Sequence, residues 1–233
     1  GDISLLNELG VRNSSVFLAN CSIWVEGITD RLYLKHYLKL YYEKNKETTK
    51  EYRENLDYTF IEYGGANVIH YNFDGEDLHE SINGRYVNNR IFLIADNDNT
   101  KTGTAKYERK EHYRKVLENN FYELPVAEIE NLITSEVLKR VLMNQNKEQS
   151  EIIEKKFKTP KSFSNKRLGK YIDELFETTD KMKKYSAASG TIKNKLEFCN
   201  AVIQETTNYN MLSNEAKDLV EKIYLFIQRN NLI

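Results

Sequence analysis

Three short apolar runs alternate with amphipathic stretches in the first part of the chain, and this alternation most constrains the fold. The runs at 23–25, 58–63 and 90–98 contain mainly branched and aromatic residues, which is typical of buried strands. Helical spacing of apolar residues follows the first run, at 30–42, and the third run, at 106–119. Strands that alternate with helices predict an α/β fold, with a mainly parallel sheet flanked by helices.

The chain changes character near Met143. A fourth short strand or turn is predicted at 121–126 and a helix over 127–143, whereas the residues that follow are polar and lack strand signals. We therefore expect a core domain over 1–143, including an N-terminal junction segment, and a helical C-terminal extension over 144–233. The extension is predicted to contain helices at 167–177, 192–205 and 213–228.

Composition excludes some classes of protein and leaves others open. The 34 Lys and Arg residues nearly balance the 35 Asp and Glu residues, so any nucleic-acid or metal site must come from local clustering. Cys21 and Cys199 do not form a disulfide framework, and the four histidines show no zinc spacing with them. No signal peptide or membrane-length apolar run is recognised, which predicts a cytoplasmic protein without membrane contact.

Acidic residues follow the strand-like segments in pairs. The pairs are Glu26 with Asp30, Asp96 with Asp98, and Glu128 with Glu130. The carboxyl ends of parallel strands meet at one edge of a sheet, so we expect the six acids to lie close together. Neighbouring carboxylates repel one another and need a cation among them. Mg²⁺, with Mn²⁺ as a substitute, is the natural candidate, and two such ions would suit phosphoryl displacement.

Each acidic motif also has a simpler interpretation. Asp96 and Asp98 could lie in a solvated turn, and Glu128 and Glu130 could be on an exposed helix face. Glu26 could cap the next helix, with Asp30 in its first turn. The order of the motifs, each at a strand end, favours the metal site.

An acid followed by glycine after the first strand, with DxD after a later strand, resembles the signature of the TOPRIM domain. Topoisomerases, primases and several nucleases share that domain. The wider match is to the TOPRIM region of the overcoming-lysogenization-defect (OLD) family of ATP-dependent endonucleases. The similarity covers about residues 5–133, in the segments LNELGVRNSSVFLANCSIWVEGITDRLYLKHYL (6–38), EYGGANV (62–68), IFLIADND (91–98) and ELPVAEIENLI (123–133).

The resemblance implies metal-dependent cleavage of DNA by an endonuclease or nickase. It implies that Glu26 and Asp30 bind one metal ion, that Asp96 bridges two ions and that Asp98 supports the second. A later acid of the family corresponds to Glu130, with Glu128 as the close alternative.

The same family has a late catalytic lysine at the start of a helix. KLEFC makes Lys195 its match, with Lys193 as a rival. The chain departs from the family at Asn97, where serine is frequent, and at Ala66, where arginine is frequent. The second difference removes a cation that could bind phosphate.

Partners follow from the resemblance and from two basic stretches. The family carries an ABC-type ATPase region before the nuclease, so we expect such a partner in the same chain or in another, with a role in anti-phage defence. Residues 155–170 contain seven Lys or Arg and no acid, and residues 181–195 contain five lysines and no acid. They predict either a solvated face or a groove for DNA phosphates. Homo-oligomer formation stays open.

A second class of function also fits these residues. The chain could be a non-catalytic TOPRIM-like module that binds nucleic acid or mediates assembly. A topoisomerase would need a tyrosine domain for strand breakage, and a primase usually brings a zinc module; the sequence shows neither.

Overall fold

The computed structural model describes residues 19–64, 71–72, 82–83, 90–97, 100–159, 161–176 and 184–232. The predicted junction before residue 19 and the positions of Ala66 and Asp98 lie outside these ranges. The strands are β1 Ser22–Val25, β2 Thr59–Glu62, β3 Tyr71–Asn72, β4 Ile82–Asn83, β5 Ile91–Ala95 and β6 Phe121–Glu123. The α-helices are α1 Ile28–Asn45, α2 Ala105–Leu117, α3 Ser135–Gln145, α4 Ser150–Lys156, α5 Leu168–Leu175, α6 Lys195–Glu205 and α7 Asn214–Asn230.

Four strands form one parallel sheet in the order β2-β1-β5-β6, which confirms the predicted α/β class. Ile23 of β1 lies between Phe60 of β2 and Phe92 of β5, so the register aligns aromatic and branched side chains across the sheet. All four carboxyl ends lie at the same edge. The short strands β3 and β4, which pair with each other in parallel, were not predicted.

Alternate residues of the strands pack on opposite faces of the sheet. On one face Trp24, Leu93 and Tyr113 of α2 belong to one buried cluster. On the other face Ile23 and Phe92 belong to a larger cluster that includes α1 and helices α3 to α7. Buried side chains from both sides of residue 143 share this larger cluster. The shared cluster does not separate two domains at this position, so the predicted boundary stays a prediction.

The predicted helix over 127–143 is wrong in its first half. Ile129–Leu132 forms a short 3₁₀ helix, and α3 begins only after Thr134, whose hydroxyl accepts a hydrogen bond from the Val137 N–H. The Asn131 side chain explains the break, since it accepts from the Glu128 N–H and donates to the Phe163 carbonyl. A side chain that bonds the backbone in this way competes with helix formation.

The C-terminal part is helical within its described residues, apart from one isolated antiparallel bridge between Ser186 and Ile192. The three predicted helices correspond to α5, α6 and α7, while α4 was not predicted. Cys21 and Cys199 are both buried and are not joined to each other. Within the described ranges, every helix is too short or too polar to cross a membrane.

Candidate functional site

The turn between β1 and α1 carries the first two acids. Glu26 follows the last residue of β1, and Asp30 lies in the first turn of α1. An Asp30 carboxylate oxygen accepts a hydrogen bond from the Gly27 N–H at 2.7 Å. Asp30 therefore also stabilises the start of the helix, as the simpler interpretation of this residue predicts.

Gly27 follows Glu26 and precedes the first residue of α1. Its φ of −157° and ψ of −175° are extended backbone, which any residue adopts. A Cβ atom at this position would lie 3.8 Å from the Asp30 carboxylate, an ordinary contact. The tight turn after Glu26 therefore does not require glycine.

A buried lysine holds the backbone that carries Asp96. The Lys110 ammonium donates to the Asp96 carbonyl at 2.7 Å and to the Asn97 carbonyl at 2.8 Å. It also contacts the Thr100 hydroxyl at 3.0 Å and the Glu123 carboxylate at 2.7 Å. Only 4% of Lys110 is exposed. Lys110 therefore connects the loop after β5 both to α2, which carries the lysine, and to Glu123 at the end of β6.

Glu130 and Lys195 form an ion pair between distant parts of the chain. Glu130 is fully buried, and the Lys195 Nζ atom lies 3.2 Å from its Oε1 and donates to Oε2 at 3.4 Å. Burial alone would lower the pKa of Lys195, but the Glu130 and Glu128 carboxylates outweigh it and raise the pKa. Lys193, the rival in sequence, is exposed instead.

Glu128 has a different partner from Glu130. Its Oε1 pairs with the Arg167 guanidinium, while its buried Oε2 accepts no hydrogen bond within the described part of the chain. Burial raises the pKa of Glu128; Lys195 and Arg167 act in the opposite direction. The two acids of the EIE motif are thus not on an exposed helix face.

Tyr63 shows that acids from different elements converge. Its hydroxyl donates to the Ile94 carbonyl at 2.9 Å. Burial raises the pKa of the Tyr63 phenol well above its usual value, and the charges of Glu26, Asp30 and Asp96 raise it further. The acids after β1 and after β5 therefore act on one buried side chain, as the parallel sheet predicts.

Asp30 is the acid whose ionisation the site opposes most clearly. It is 8% exposed, and burial together with the neighbouring charges of Glu130 and Glu26 raises its pKa from 3.8 to about 7. The Gly27 hydrogen bond and the Lys195 charge lower the pKa and only partly offset these causes. Without a further cation, ionised Asp30 thus costs folding free energy at neutral pH.

Asp30→Asn should stabilise the metal-free protein at alkaline pH. The folded-state pKa of Asp30, about 7, lies above its ordinary value, so the free energy of unfolding falls as pH rises from about 4 through about 7. Asparagine keeps an acceptor for Gly27 and carries no charge. We expect a gain of about 2–3 kcal/mol near pH 8 and almost none near pH 4, measured by urea denaturation in EDTA.

The exposed Asp218 of α7 offers a matched control. Asp218→Asn should change the free energy of unfolding by less than about 0.5 kcal/mol at either pH. If Asp30→Asn gives the same change at both pH values, the charge of Asp30 is not a source of instability.

The donor types at this edge fit Mg²⁺, but the described carboxylates do not form a ready metal cage. Carboxylate oxygens suit Mg²⁺, which takes one or two of them and keeps water. Glu128 Oε2 is buried and accepts no hydrogen bond among described residues, whereas buried Glu130 Oε1 lies 3.2 Å from the Lys195 ammonium in the ion pair. Across the described ranges, no three His, Cys, Asp or Glu side chains are grouped closely enough to hold a metal ion, and Asp98 lies outside them.

Sequence reasoning missed three residues of this region: Lys110, Tyr63 and Arg167. Lys110 had a detectable signal, because it shares the buried helical spacing of Tyr113 and Leu117 on α2. Tyr63 and Arg167 had no such signal, since their partners are distant in sequence.

Comparisons with protein-family models, with curated proteins and with solved structures find no match for this chain.

Proposed function

We propose that the chain is a metal-dependent DNA endonuclease or nickase with a TOPRIM-like fold. The observation that carries this proposal is that acids following β1, β5 and β6 act electrostatically on the same few groups, Tyr63 and Lys195. Glu130 contacts Lys195 across 65 positions of sequence, and the charges of Asp30 and Asp96 also act on residues of this site. A parallel sheet with acids beyond its carboxyl edge supports the same proposal.

The side chains divide the chemistry of phosphodiester hydrolysis. Mg²⁺ or Mn²⁺ would be held by one or two of Glu26, Asp30 and Asp96, with Asp98 and water as further ligands. The ion would polarise a phosphoryl oxygen and make bound water a better nucleophile. Lys195 would stabilise the negative charge that gathers on the non-bridging oxygens, and buried Glu130 holds its ammonium in place.

The resemblance to the OLD family extends the proposal to partners. The nuclease would act with an ABC-type ATPase region, in the same chain or in another, and serve anti-phage defence. This part of the proposal rests on the sequence motifs alone.

A non-catalytic module is the second candidate. Two observations favour it. The Lys195 ammonium already balances the negative charge of Glu130, and no three potential ligand side chains within the described ranges are grouped closely enough to hold a metal ion. In that case the site would bind nucleic acid or organise an assembly without hydrolysis.

A supercoiled plasmid distinguishes the two candidates. The nuclease should convert it to nicked and linear forms in Mg²⁺ or Mn²⁺ and leave it intact in EDTA. A folded wild-type protein that binds the plasmid but leaves it supercoiled in both metals would support the non-catalytic module and refute the nuclease.

Lys195→Met should slow cleavage of bound DNA by about a hundredfold or more, the loss expected for a transition-state stabiliser. Lys193→Met is the matched control, since Lys193 is exposed on the same segment. It should weaken DNA binding but leave the single-turnover rate near that of wild type. Lys195→Arg keeps the charge beside Glu130 and should recover part of the rate. Wild-type cleavage of bound DNA by Lys195→Met would remove the catalytic role.

A further inference from the structure

Two segments of the C-terminal part combine into one basic surface, residues 161–170 and 184–195. They contain no Asp or Glu, and their cations are Lys161, Lys166, Arg167, Lys170, Lys184, Lys193 and Lys195. Such a charge excess is local, because the whole chain has a net charge of −1. A surface of one sign attracts a partner of the other sign.

Close backbone packing joins the two segments. The Lys170 N–H donates to the Gly190 carbonyl at 2.8 Å, and a Cβ atom on Gly169 would lie only 2.4 Å from the Thr191 carbonyl oxygen. Gly190 has a φ of +82°, and a Cβ atom there would lie 3.2 Å from the Arg167 Cβ. Glycine at both positions lets the second segment lie directly on the start of α5. The cations of both segments therefore belong to one rigid surface.

The second segment is a small hairpin that brings two lysines together. The bridge between Ser186 and Ile192, and the hydrogen bond from the Lys193 N–H to the Tyr185 carbonyl, define it. Lys184 and Lys193 stand at its open end and line the same surface depression. One acid, Glu197, lines this depression too and accepts a hydrogen bond from Asn194 at 3.1 Å.

Five cations of the basic surface are exposed: Lys161, Lys166, Lys170, Lys184 and Lys193. Four of these, all except Lys170, have no ion pair among the described residues, although the Lys166 ammonium lies 5.2 Å from the centre of the Tyr171 ring. The other cations have carboxylate partners: Lys170 pairs with Glu174 on the surface, Arg167 with buried Glu128 and Lys195 with buried Glu130. Four positive charges thus face solvent without a carboxylate partner in the described structure.

The basic surface adjoins the acidic site. Arg167 belongs to it and pairs with Glu128, and Lys195 ends it and pairs with Glu130. A phosphate chain held on the surface would therefore run toward the carboxylates beyond the sheet edge.

We propose that the basic surface binds the phosphodiester backbone of duplex DNA beside the acidic site. This inference rests on the proposed nuclease function and names the form of its substrate. Proteins that hold single strands stack bases on aromatic side chains. The aromatic residues of this region, Phe163, Tyr171 and Tyr185, are all buried, so lysines and hydroxyls remain for contact. Such groups read phosphates and sugars rather than bases, which suits a stacked duplex.

The test is a binding measurement in EDTA with a short labelled duplex and one of its strands. The triple variant Lys166→Gln, Lys184→Gln, Lys193→Gln should bind the duplex about tenfold or more weakly than wild type. The slope of log affinity against log salt should fall by about three units, one for each lost phosphate contact. Wild type should bind the duplex more tightly than the single strand.

The control is a second triple variant, Lys44→Gln, Lys46→Gln, Lys115→Gln. These lysines are also exposed, and they lie at the far end of α1 and in the last turn of α2, away from the carboxyl edge of the sheet. Its duplex affinity and salt slope should match those of wild type. Thermal unfolding shows whether each triple variant is folded. If one of them is not folded, the same binding measurement is made on its three single-substitution variants.

Three results would contradict the proposed DNA-binding surface. They are wild-type duplex affinity in the first triple variant, an equal loss of duplex affinity in the control variant, or tighter binding of the single strand than of the duplex by wild type. Since EDTA prevents metal-dependent cleavage, the two proposals fail separately. If the protein binds duplex DNA through these lysines but never nicks a plasmid, the proposed binding surface is supported and the proposed nuclease activity is contradicted. If the wild-type protein nicks DNA but the first triple variant binds duplex DNA like wild type, the nuclease activity is supported and the proposed binding surface is contradicted.

Discussion

Asp96→Asn is expected to lower the rate of plasmid nicking by about a thousandfold or more while the protein stays folded. Asp96 follows β5, a buried strand between β1 and β6, and Lys110 fixes its carbonyl. A ligand that bridges two cations needs such a fixed position. Asparagine keeps the size of the side chain and removes the charge. Its rate in Mg²⁺ and Mn²⁺ should be compared with that of wild type at saturating DNA.

Asp218→Asn serves as the matched control, because this exposed acid of α7 pairs with Lys222 on the surface. It should nick the plasmid at the wild-type rate. The free energy of unfolding of Asp96→Asn should equal or exceed the wild-type value in EDTA, since one charge among like charges is lost. Nicking at the wild-type rate by a folded Asp96→Asn protein would exclude Asp96 as a metal ligand.

Lys110→Met should reduce the free energy of unfolding by about 3–5 kcal/mol, because several oxygens around Lys110 lose a buried charged donor. The change leaves the Glu123 carboxylate without its Lys110 partner, and the Asp96 and Asn97 carbonyls lose a donor. Methionine preserves much of the volume, so a cavity contributes little. Urea denaturation of the two proteins measures the difference.

Lys115 on the same helix provides the comparison, since it is exposed. Lys115→Met should change the free energy of unfolding by less than about 0.5 kcal/mol. A loss below about 1 kcal/mol for Lys110→Met would mean that solvent satisfies these groups and that the loop after β5 does not depend on the lysine.

The sheet could be predicted from sequence because its signals are local. Branched and aromatic runs identify β1, β2 and β5, and their alternation with α1 and α2 dictates parallel pairing. The positions of Glu26 and Asp96 beyond the strand ends follow from the same pattern. The start of α3 could not be located in this way, because the Asn131 side chain bonds to residues more than thirty positions later.

The counter-charges of the site were harder to predict. The pairing of Lys195 with Glu130, and of Arg167 with Glu128, depends on how α5 and α6 pack against the sheet. From sequence, only the short motif KLEFC, which resembles the OLD family, favoured Lys195 over Lys193. Helical spacing alone could have identified Lys110 as buried, but its four oxygen partners come from loops and from β6.

The larger buried cluster has a consequence for the order in which the protein is made. Ile23 and Tyr37 are synthesised early, but the cluster that buries them also needs Val202 and Ile223. A ribosome adds the C-terminal residues last, so a nascent chain that ends before α6 exposes one apolar face of α1 and leaves Glu130 without Lys195. The carboxylates would thus acquire their fixed arrangement only once α6 and α7 have been synthesised and have packed against α1.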